Sequence, residues 1–594
     1  MVPRRRSSSG LIGSRPGDVP ASAVSGRHHV GPFRRGALFL AGTALLLAAG
    51  TARALWLAWT CDDAWISFRY ARNLVSGLGP VFNPGERVEG YTNPLWVLLT
   101  APAFSFRIPP ETWANALSIS SFAGVVLLLA WRAWERSKTS GGARAPIPVA
   151  AALIALNPDM HVWATGGLET AFFSLLLVAG VVVLAGAGGK RIRPPAAGAL
   201  FGLAALARPD GILPAGVAAA WLLLAGRERR IASAAAFTAC VAAFVVPHVL
   251  WRHAYYGEWL PNTYFAKSAW LPWWGQGLRY LELFLRRNAL LLLGLPLIAA
   301  AFFRSRASGD IRDAAARPIS EALLLTGIAA SYTLYVTRVG GDFMYARLLV
   351  PVMPFLALLL EVAVSQPGLP AAVRAGSVAA AVLLPLVVAD PVPPELLVHG
   401  VANERAVYTG GGVRLADQVG LALQPLFAGL PVRVLAGGAE MRVAYRSEAA
   451  EIVEAHGLTD RWIARQPLRE RGRVGHERFA DLGYVVRTRR VHFMFHPPEA
   501  DYPAFPDLFP SVTVKYGPAV LFMLSWDPPV MDELARRGAR FRSFPEGLDR
   551  YLASIDALPE ERVRRDYVRC RNFYFDHVSD PAREAPFKRR LGLP

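Results

Sequence analysis

Cysteine is scarce in this sequence, since its 594 residues contain three, Cys61, Cys240 and Cys570. An odd number cannot form a complete set of disulfides, and none are spaced as CxxC or as metal ligands. The sequence also lacks a Walker loop, a GxGxxG after a strand, an HExxH motif and a credible Ser/His/Asp arrangement. We therefore predict no disulfide, no metal site, no cofactor and no soluble nucleotide donor; a requirement for a divalent metal stays open.

Acidic residues are in deficit as well. There are 45 Asp and Glu against 64 Lys and Arg, which gives a formal net charge of +19. The basic residues fall in short clusters between apolar runs, as the positive-inside rule expects, so a nucleic-acid partner is not indicated. Hydrophobic residues make up 53% of the chain and the mean hydropathy is +0.29. These values predict a polytopic α-helical membrane protein.

Hydropathy divides the chain into three regions. Residues 1–36 have no apolar periodicity and are predicted to be a disordered cytoplasmic tail. Residues 37–390 contain the apolar runs, which give about eleven transmembrane helices at about twenty residues per crossing. The predicted runs are Gly36–Trp59, Thr112–Trp134, Pro146–Asn157, Thr170–Gly188, Ala196–Ala207, Ile212–Gly226, Ile231–Leu250, Asn288–Phe303, Ile319–Val336, Ala346–Val364 and Ala375–Ala389.

Residues 391–594 contain no apolar run of membrane length and are predicted to form a soluble mixed α/β domain. Alternating apolar residues predict strands over 432–435, 491–495 and 512–514. Helical periodicity predicts helices over 447–456 and 529–537. An odd number of crossings places this domain outside the membrane, on the side opposite the tail.

The first outer loop, residues 60–94, carries the strongest functional signal. Asp62 and Asp63 stand side by side at the end of a long apolar run. A carboxylate beside the bilayer is costly unless it is solvated or paired, which favours a functional site. An alternative is that the pair simply marks the point where the helix leaves the lipid. The polar, Gly- and Pro-rich residues that follow are too many for an ordinary connector, which favours function.

A carboxylate near the membrane surface and cations in other outer loops suit one reaction class, the transfer of a group from a lipid-linked phosphate. We expect Asp62 to accept the proton of an acceptor hydroxyl as general base, with Asp63 in support. Lys or Arg would stabilise the charge of the departing phosphate.

The layout resembles the GT-C superfamily of integral-membrane glycosyltransferases, which use polyprenyl-phosphate sugars. More narrowly, several motifs resemble the terminal β-(1→2) arabinofuranosyltransferases of mycobacterial cell walls. The motifs are Asp62-Asp63, Arg72-Asn73, residues 79–89, residues 255–267 with Lys267, residues 457–465 and Gly475-His476-Glu477. Residues 91–96 and the Gly-Gly-Asp-Phe-Met run at 340–344 are instead similar to a broader set of bacterial relatives, so the sugar is not fixed.

The resemblance implies a protein of the bacterial inner membrane with its active site on the extracytoplasmic face. Candidate donor-phosphate residues are Lys267, Arg338 and Arg347, and candidate substrate-binding residues are Glu89, Asn93, Glu169, Arg208, Asp210 and Asp342. Each has a structural alternative: Lys267 as an interfacial lysine, Arg338, Asp342 and Arg347 as an ion-pair network, and Glu169 with the Arg208–Asp210 pair as helix-capping groups.

The predicted function is transfer of a sugar, arabinofuranose by resemblance, from a polyprenyl phosphate to a cell-envelope glycan. A hexosyl transferase, for example a mannosyl transferase, of the same architecture is the nearest alternative. A transporter or flippase for lipid-linked sugars is another, but the paired inverted repeats of transporters are not visible in the sequence. A structural scaffold would leave the Asp pair without a role.

Overall fold

The computed structural model describes residues 32–139, 147–186, 193–225, 229–307, 316–366, 369–468, 470–495, 513–517 and 519–594. Most of the predicted tail lies outside these residues. The prediction of a disordered tail is wrong for residues 32–36, because the first helix begins at Pro32. Proline fits the first turn of a helix, where the missing N–H has no acceptor to lose.

The first two thirds of the chain is helical. Its helices are α1 (Pro32–Trp56), α2 (Asp62–Val75), α3 (Pro94–Thr100), α4 (Pro102–Ser105), α5 (Pro110–Thr139), α6 (Val149–Leu156), α7 (Pro158–Trp163), α8 (Thr170–Ala185), α9 (Arg193–Ala207), α10 (Ile212–Ala225), α11 (Arg230–Tyr256), α12 (Asn262–Ala266), α13 (Trp274–Asn288), α14 (Gly294–Ala307), α15 (Ala316–Val339), α16 (Met353–Val364) and α17 (Ala371–Val387). Each predicted apolar run overlaps one of these helices.

Among the described residues, five helical stretches are long and apolar enough to cross a membrane. They are Phe33–Trp56, Pro110–Lys138, Arg230–Tyr256, Trp274–Ala300 and Ile319–Val339. Other apolar helices are shorter. Helix α6 has eight residues and is therefore about 12 Å long, against a bilayer core of about 30 Å. The chain is a multi-pass membrane protein in architecture, and the total of eleven crossings stays a prediction.

The last third of the chain is built around a mixed sheet. Its helices are α18 (Glu404–Thr409), α19 (Gly411–Phe427), α20 (Glu440–Arg446), α21 (Arg461–Ala464), α22 (Leu482–Arg487), α23 (Pro528–Arg536), α24 (Phe544–Leu552), α25 (Glu560–Cys570) and α26 (Pro581–Leu591). Its strands are β1 (Arg433–Ala436), β2 (Glu451–Glu454), β3 (Phe493–Met494), β4 (Thr513–Tyr516) and β5 (Ala519–Met523). The strand order is β2-β1-β3-β5-β4.

Strand β1 pairs in parallel with β2 and β3, and β5 pairs antiparallel with β3 and β4. The two faces of the sheet are both buried. Val434, Ile452 and Phe493 belong to the main core, whereas Leu435, Val453 and Met494 pack in a second cluster with α21 and α22. A strand covered on both faces must be apolar at successive positions, which explains the short apolar runs. The predicted boundary near residue 390, between the transmembrane domain and the soluble domain, stays a prediction.

The predicted helix over 447–456 is wrong. The preceding helix α20 ends at Arg446, and residues 451–454 form strand β2. Val434 of β1 lies opposite Ile452, so a parallel partner is available to this segment. For so short a segment, pairing and burial in the tertiary structure outweigh local periodicity. The strand predicted over 432–435 and the helix over 529–537 are confirmed by β1 and α23.

The first loop is joined to the sheet through buried polar groups. The Nδ2 group of Asn83 donates to the carbonyl of Ile452 at 3.0 Å, and its Oδ1 accepts the N–H of Ile452 at 2.9 Å. The guanidinium of Arg69 donates to the carbonyls of Ala449 and Ala450 at 3.1 and 2.9 Å. A buried polar group left without a partner costs about 1–3 kcal/mol. These contacts therefore fix the C-terminal part against the first loop.

A second junction lies beside α12. The Nδ2 group of Asn262 donates to the carbonyls of Gly457 and Leu458 at 2.8 and 3.0 Å. On the other side of α2, the rings of Trp65 and Tyr445 pack with their centroids 4.9 Å apart. These contacts hold the helical part of the chain and the edge of the sheet on opposite sides of a gap.

Candidate active site

Helix α2 begins with the two carboxylates. The backbone of Cys61 is extended just before the helix, with φ −80° and ψ 170°, and its N–H donates to the carbonyl of Gly166 at 3.1 Å. Asp62 and Asp63 then form the first turn, where unpaired backbone N–H groups favour negative charge. An oxygen of Asp62 accepts the N–H of Asp63 at 2.8 Å. The helix start therefore holds both carboxylates at one end of the gap.

Arg347 reaches this pair from a turn that follows α15. Gly340 and Gly341 have φ values of 98° and 76°, a conformation that glycine adopts without steric cost. The Nη1 atom of Arg347 lies 3.4 Å from Asp63 Oδ2 and 3.5 Å from Asp342 Oδ2. Its Nε is buried and has no hydrogen-bond partner among the described residues. Arg347 thus retains a free donor despite two nearby carboxylates.

Lys267 is the second cation at the site. It follows the short helix α12 and is half-buried, with its backbone N–H bonded to the carbonyl of Thr263 at 3.0 Å. Its side chain lines the same cavity as Asp62 and Asp63. In the part of the chain that the structure describes, no carboxylate oxygen lies within 4.0 Å of its ammonium. This charge is therefore free to bind an anion.

The space between these groups is a small, partly enclosed cavity, which we call the Asp62 cavity. One wall comes from the helical part and carries Asp62, Asp63, Ile66, Lys267 and Phe343. The other comes from the C-terminal part and consists of Gly438, Met441, Glu454, His456, Leu458, Gly475 and His476. Three acids and a lysine ammonium that has no carboxylate oxygen within 4.0 Å among the described residues thus share one partly enclosed space, in which charge interactions are stronger than in bulk water.

Two histidines of this cavity were missed by the sequence analysis. The ring centroids of His456 and His476 lie 4.4 Å apart, and His476 packs edge-on against Phe343 at 4.6 Å. Burial, followed by the neighbouring His456, lowers the pKa of His476 to about 4, so this ring is neutral near pH 7. The sequence signal was the Gly475-His476-Glu477 motif, for which no role was predicted. His456 had no signal beyond its adjacency to Gly457.

The two carboxylates differ in acidity. Burial, followed by the negative charge of Asp63, raises the pKa of Asp62 to about 6. Burial also raises the pKa of Asp63, but the charges of Lys267 and Arg347 lower it by more, so its net pKa is below the ordinary value. A general base works best when its pKa lies near the working pH. The assignment of Asp62 as the base, with Asp63 in support, stays a prediction that this difference in pKa accommodates.

Helix α18 stands next to Asp62. The hydroxyl of Tyr408 hydrogen-bonds to the Asp62 carboxylate. Glu404 accepts from Arg473 at 2.9 Å, and burial followed by the charge of Asp62 raises the pKa of Glu404 to about 8. Neither Glu404 nor Tyr408 was among the predicted site residues, because nothing in the sequence places residue 404 near residue 62.

Four predicted substrate-binding residues form one buried chain beside the cavity. Asn93 Nδ2 donates to Glu169 at 2.8 Å, and Arg208 Nη1 lies 3.8 Å from the other oxygen of Glu169. Arg208 also donates to both oxygens of Asp210, at 3.2 and 2.8 Å. These residues do not line the Asp62 cavity, but Glu169 and Arg208 act electrostatically on Arg347. Their role in substrate binding stays a prediction.

Two predicted site residues lie elsewhere. Glu89 forms a buried ion pair with Arg252 of α11 through both of its oxygens, and its backbone carbonyl accepts the N–H of Asn262 at 2.9 Å. Arg338 donates to the carbonyl of Trp270 at 3.3 Å. Neither side chain lines the Asp62 cavity.

Within the described residues, no three His, Cys, Asp or Glu side chains are grouped so that they could hold a metal ion.

The fold resembles that of a membrane enzyme of known structure. The chain is similar to the apo structure of ArnT from Cupriavidus metallidurans, with a TM-score of 0.50 and 14% identity, over 82% of this chain and 97% of ArnT. A second ArnT structure is described as bound to undecaprenyl phosphate; there the TM-score is 0.45, with 13% identity over 71% of this chain and 86% of ArnT. The apo ArnT structure supports the predicted GT-C-like architecture at the level of the fold alone.

Two curated relatives carry the same name, terminal β-(1→2)-arabinofuranosyltransferase. The relative from Corynebacterium glutamicum is 33% identical over 54% of this chain and 50% of its own length. The relative from Mycobacterium tuberculosis is 32% identical over 52% of this chain and 52% of its own length. The chain thus spans about half the length of the curated relatives it matches. No family model matches the chain. The predicted resemblance to terminal β-(1→2)-arabinofuranosyltransferases is confirmed.

Proposed function

We propose that this protein is a membrane glycosyltransferase that moves a sugar from a polyprenyl phosphate to a cell-envelope glycan at the extracytoplasmic face. One observation carries the proposal: Asp62 and Asp63 share a cavity with the unpaired ammonium of Lys267, beside the ends of apolar helices. An acid pair facing an unpaired cation fits a reaction that needs a base and releases a phosphate. The relatives' name and the undecaprenyl phosphate bound to ArnT support the substrate classes.

The reaction is a displacement at the anomeric carbon. The carboxylate of Asp62 takes the proton of the acceptor hydroxyl as its oxygen bonds to the anomeric carbon. The bond from this carbon to the phosphate oxygen breaks, and its electron pair leaves with the phosphate. Lys267 stabilises the negative charge that develops on the phosphate. Arg347, whose buried Nε has no hydrogen-bond partner among the described residues, is the next cation available for this role. Lys267 and Arg347 lower the pKa of Asp63, so Asp63 stays negatively charged and attracts both cations.

The C-terminal part supplies the remaining wall of the Asp62 cavity. His456 and the neutral His476 offer ring faces and nitrogen atoms to a sugar, with Phe343 behind them. We assign them to holding the transferred sugar or the acceptor. This role is consistent with the attachment of the C-terminal part to the first loop through Asn83 and to α12 through Asn262.

Product formation by purified protein tests the function. The protein would be reconstituted with polyprenyl-phosphate arabinofuranose, or with polyprenyl-phosphate mannose, and an arabinan oligosaccharide acceptor. Mass spectrometry should show an acceptor longer by one pentose with the first donor. Growth by a hexose would reassign the sugar and keep the enzyme class. Movement of donor between bilayer leaflets without any new glycosidic bond would contradict the proposal and favour a transporter.

The acid limb of the pH profile should depend on Asp62. Since a base must be deprotonated, kcat/KM should fall as the pH drops through about 6, the pKa of Asp62. The Tyr408 hydroxyl stabilises the charged carboxylate, so Tyr408→Phe should move this limb to higher pH. Removal of the neighbouring charge in Asp63→Asn should move it to lower pH. Profiles that coincide in all three proteins would exclude Asp62 as the titrating group.

The orientation can be tested by cysteine labelling in intact cells. Ala553 is exposed in the C-terminal part, whereas Ser447 in the same region is fully buried and unsuitable. Ala553→Cys should react with a membrane-impermeant maleimide before lysis. Arg34→Cys, at the other end of α1, should react only after lysis. The reverse pattern would put the C-terminal part in the cytoplasm and contradict an extracytoplasmic active site.

A further inference from the structure

A second cavity of about 280 Å³ lies next to the end of α1, and we call it the Arg53 cavity. Arg53, Trp56 and Leu57 form one side of it, and Asn403, Glu404 and Arg405 another. It shares no lining residue with the Asp62 cavity. Helix α18 separates the two, because Glu404 and Arg405 face the Arg53 cavity while Tyr408 bonds to Asp62.

Most charges around the Arg53 cavity are already paired. Arg287 forms ion pairs with Asp159 and Asp390, and Glu404 is paired with Arg473. Two charges remain. Neither Arg53 nor Arg405 has a carboxylate oxygen within 4.0 Å in the part of the chain that the structure describes.

The unpaired arginines lie close together. The Nε of Arg405 donates to the carbonyl of Leu57 at 2.9 Å, which holds α18 against the end of α1. Burial, followed by the charge of Arg53, lowers the pKa of Arg405, a sign that the two guanidinium groups repel each other. An anion bound between them would remove this repulsion. Arginine also presents paired donors that match phosphate oxygens.

The surroundings of Arg53 are those of a membrane surface. Its guanidinium stacks 4.2 Å above the ring of Trp56, which is 68% exposed. Tryptophan and arginine at a helix end mark the level of lipid headgroups. Below them, α1 leaves large apolar side chains uncovered, among them Leu38, Leu45 and Leu55. Acyl or prenyl chains can lie along this face.

We propose that the Arg53 cavity binds the phosphate of a membrane lipid between Arg53 and Arg405, with the hydrocarbon chain lying along α1. Both an anionic phospholipid of the bilayer and a polyprenyl phosphate carry this chemistry. The site is separate from the donor-phosphate position assigned to Lys267, and it does not depend on the proposed reaction.

Native mass spectrometry of the full-length protein in detergent tests this site. The probes are phosphatidylglycerol, undecaprenyl phosphate and, as a lipid without phosphate, diacylglycerol. Wild-type protein should bind at least one of the two phosphate lipids and bind diacylglycerol much more weakly. The double variant Arg53→Gln/Arg405→Gln should lose at least tenfold in affinity for that lipid. The lipid whose affinity falls identifies the source of the phosphate.

Two further variants make the result decisive. Arg34→Gln removes the same charge at the far end of α1 and should bind as the wild type does. Arg53→Lys/Arg405→Lys keeps the charges and should bind better than the Gln pair. Unchanged affinity for both phosphate lipids in the Gln pair would overturn the proposal, as would equal binding of diacylglycerol by the wild type. Neither result would bear on the function of Lys267 and Asp62.

Discussion

Asp62→Asn should lower turnover by about a hundredfold or more while the fold and donor binding persist. Asparagine has nearly the shape of aspartate and can still accept the N–H of Asp63, but it cannot take a proton from the acceptor. The change also removes a negative charge that is 6% exposed and whose pKa is raised by burial, so thermal stability should not fall. The measurements are kcat at saturating donor, donor Kd and the unfolding temperature.

Two further variants show whether turnover falls because Asp62 is the base or because any carboxylate charge of the cavity is lost. Asp63→Asn should lower turnover less and weaken donor binding more, because Asp63 faces Lys267 and Arg347. Glu454→Gln neutralises another carboxylate of the same cavity, one that accepts backbone N–H groups at 2.9 and 2.6 Å, and should leave turnover within severalfold. Near-normal turnover in both Asn variants would mean that neither Asp is the base. Asp342 would then be the next carboxylate to test, since Glu89 is held by Arg252.

Lys267→Ala should weaken donor affinity by about tenfold to a hundredfold. A charge-assisted contact with phosphate contributes about 1.5–3 kcal/mol, and each 1.4 kcal/mol is about tenfold in affinity. Lys267 has no carboxylate oxygen within 4.0 Å among the described residues, and Asp63 keeps Arg347 at 3.4 Å when Lys267 is removed, so expression should be normal. The measurement is donor Kd, or KM for the donor at fixed acceptor.

Arg338→Ala is the matched control for this prediction. Arg338 was an equal candidate for the donor phosphate, but its guanidinium bonds to the carbonyl of Trp270 outside the Asp62 cavity. Its loss should leave donor affinity within twofold to threefold. Lys267→Arg should retain part of the affinity, because the charge is kept. If Lys267→Ala binds donor normally, Lys267 is an interfacial lysine and the phosphate must be sought at Arg347.

The sequence by itself determined the membrane architecture and the location of the acid pair. An apolar run long enough to cross a bilayer is recognisable from local composition, because the cost of exposing polar groups to lipid acts on each segment separately. Every predicted run accordingly overlaps a helix of the structure. Asp62 and Asp63 were found in the same way, as charges at the end of such a run.

The tertiary structure alone decided which residues join them. His456, His476 and Glu404 lie hundreds of positions from Asp62 in sequence, so no local pattern connects them. Strand β2 was mistaken for a helix because its parallel partner β1, not its own periodicity, fixes its conformation. Glu89 and Lys267 appeared alike as charged residues of outer loops. Only the fold gives Glu89 a buried arginine and leaves Lys267 unpaired, since a charge's role depends on the neighbours that folding brings to it.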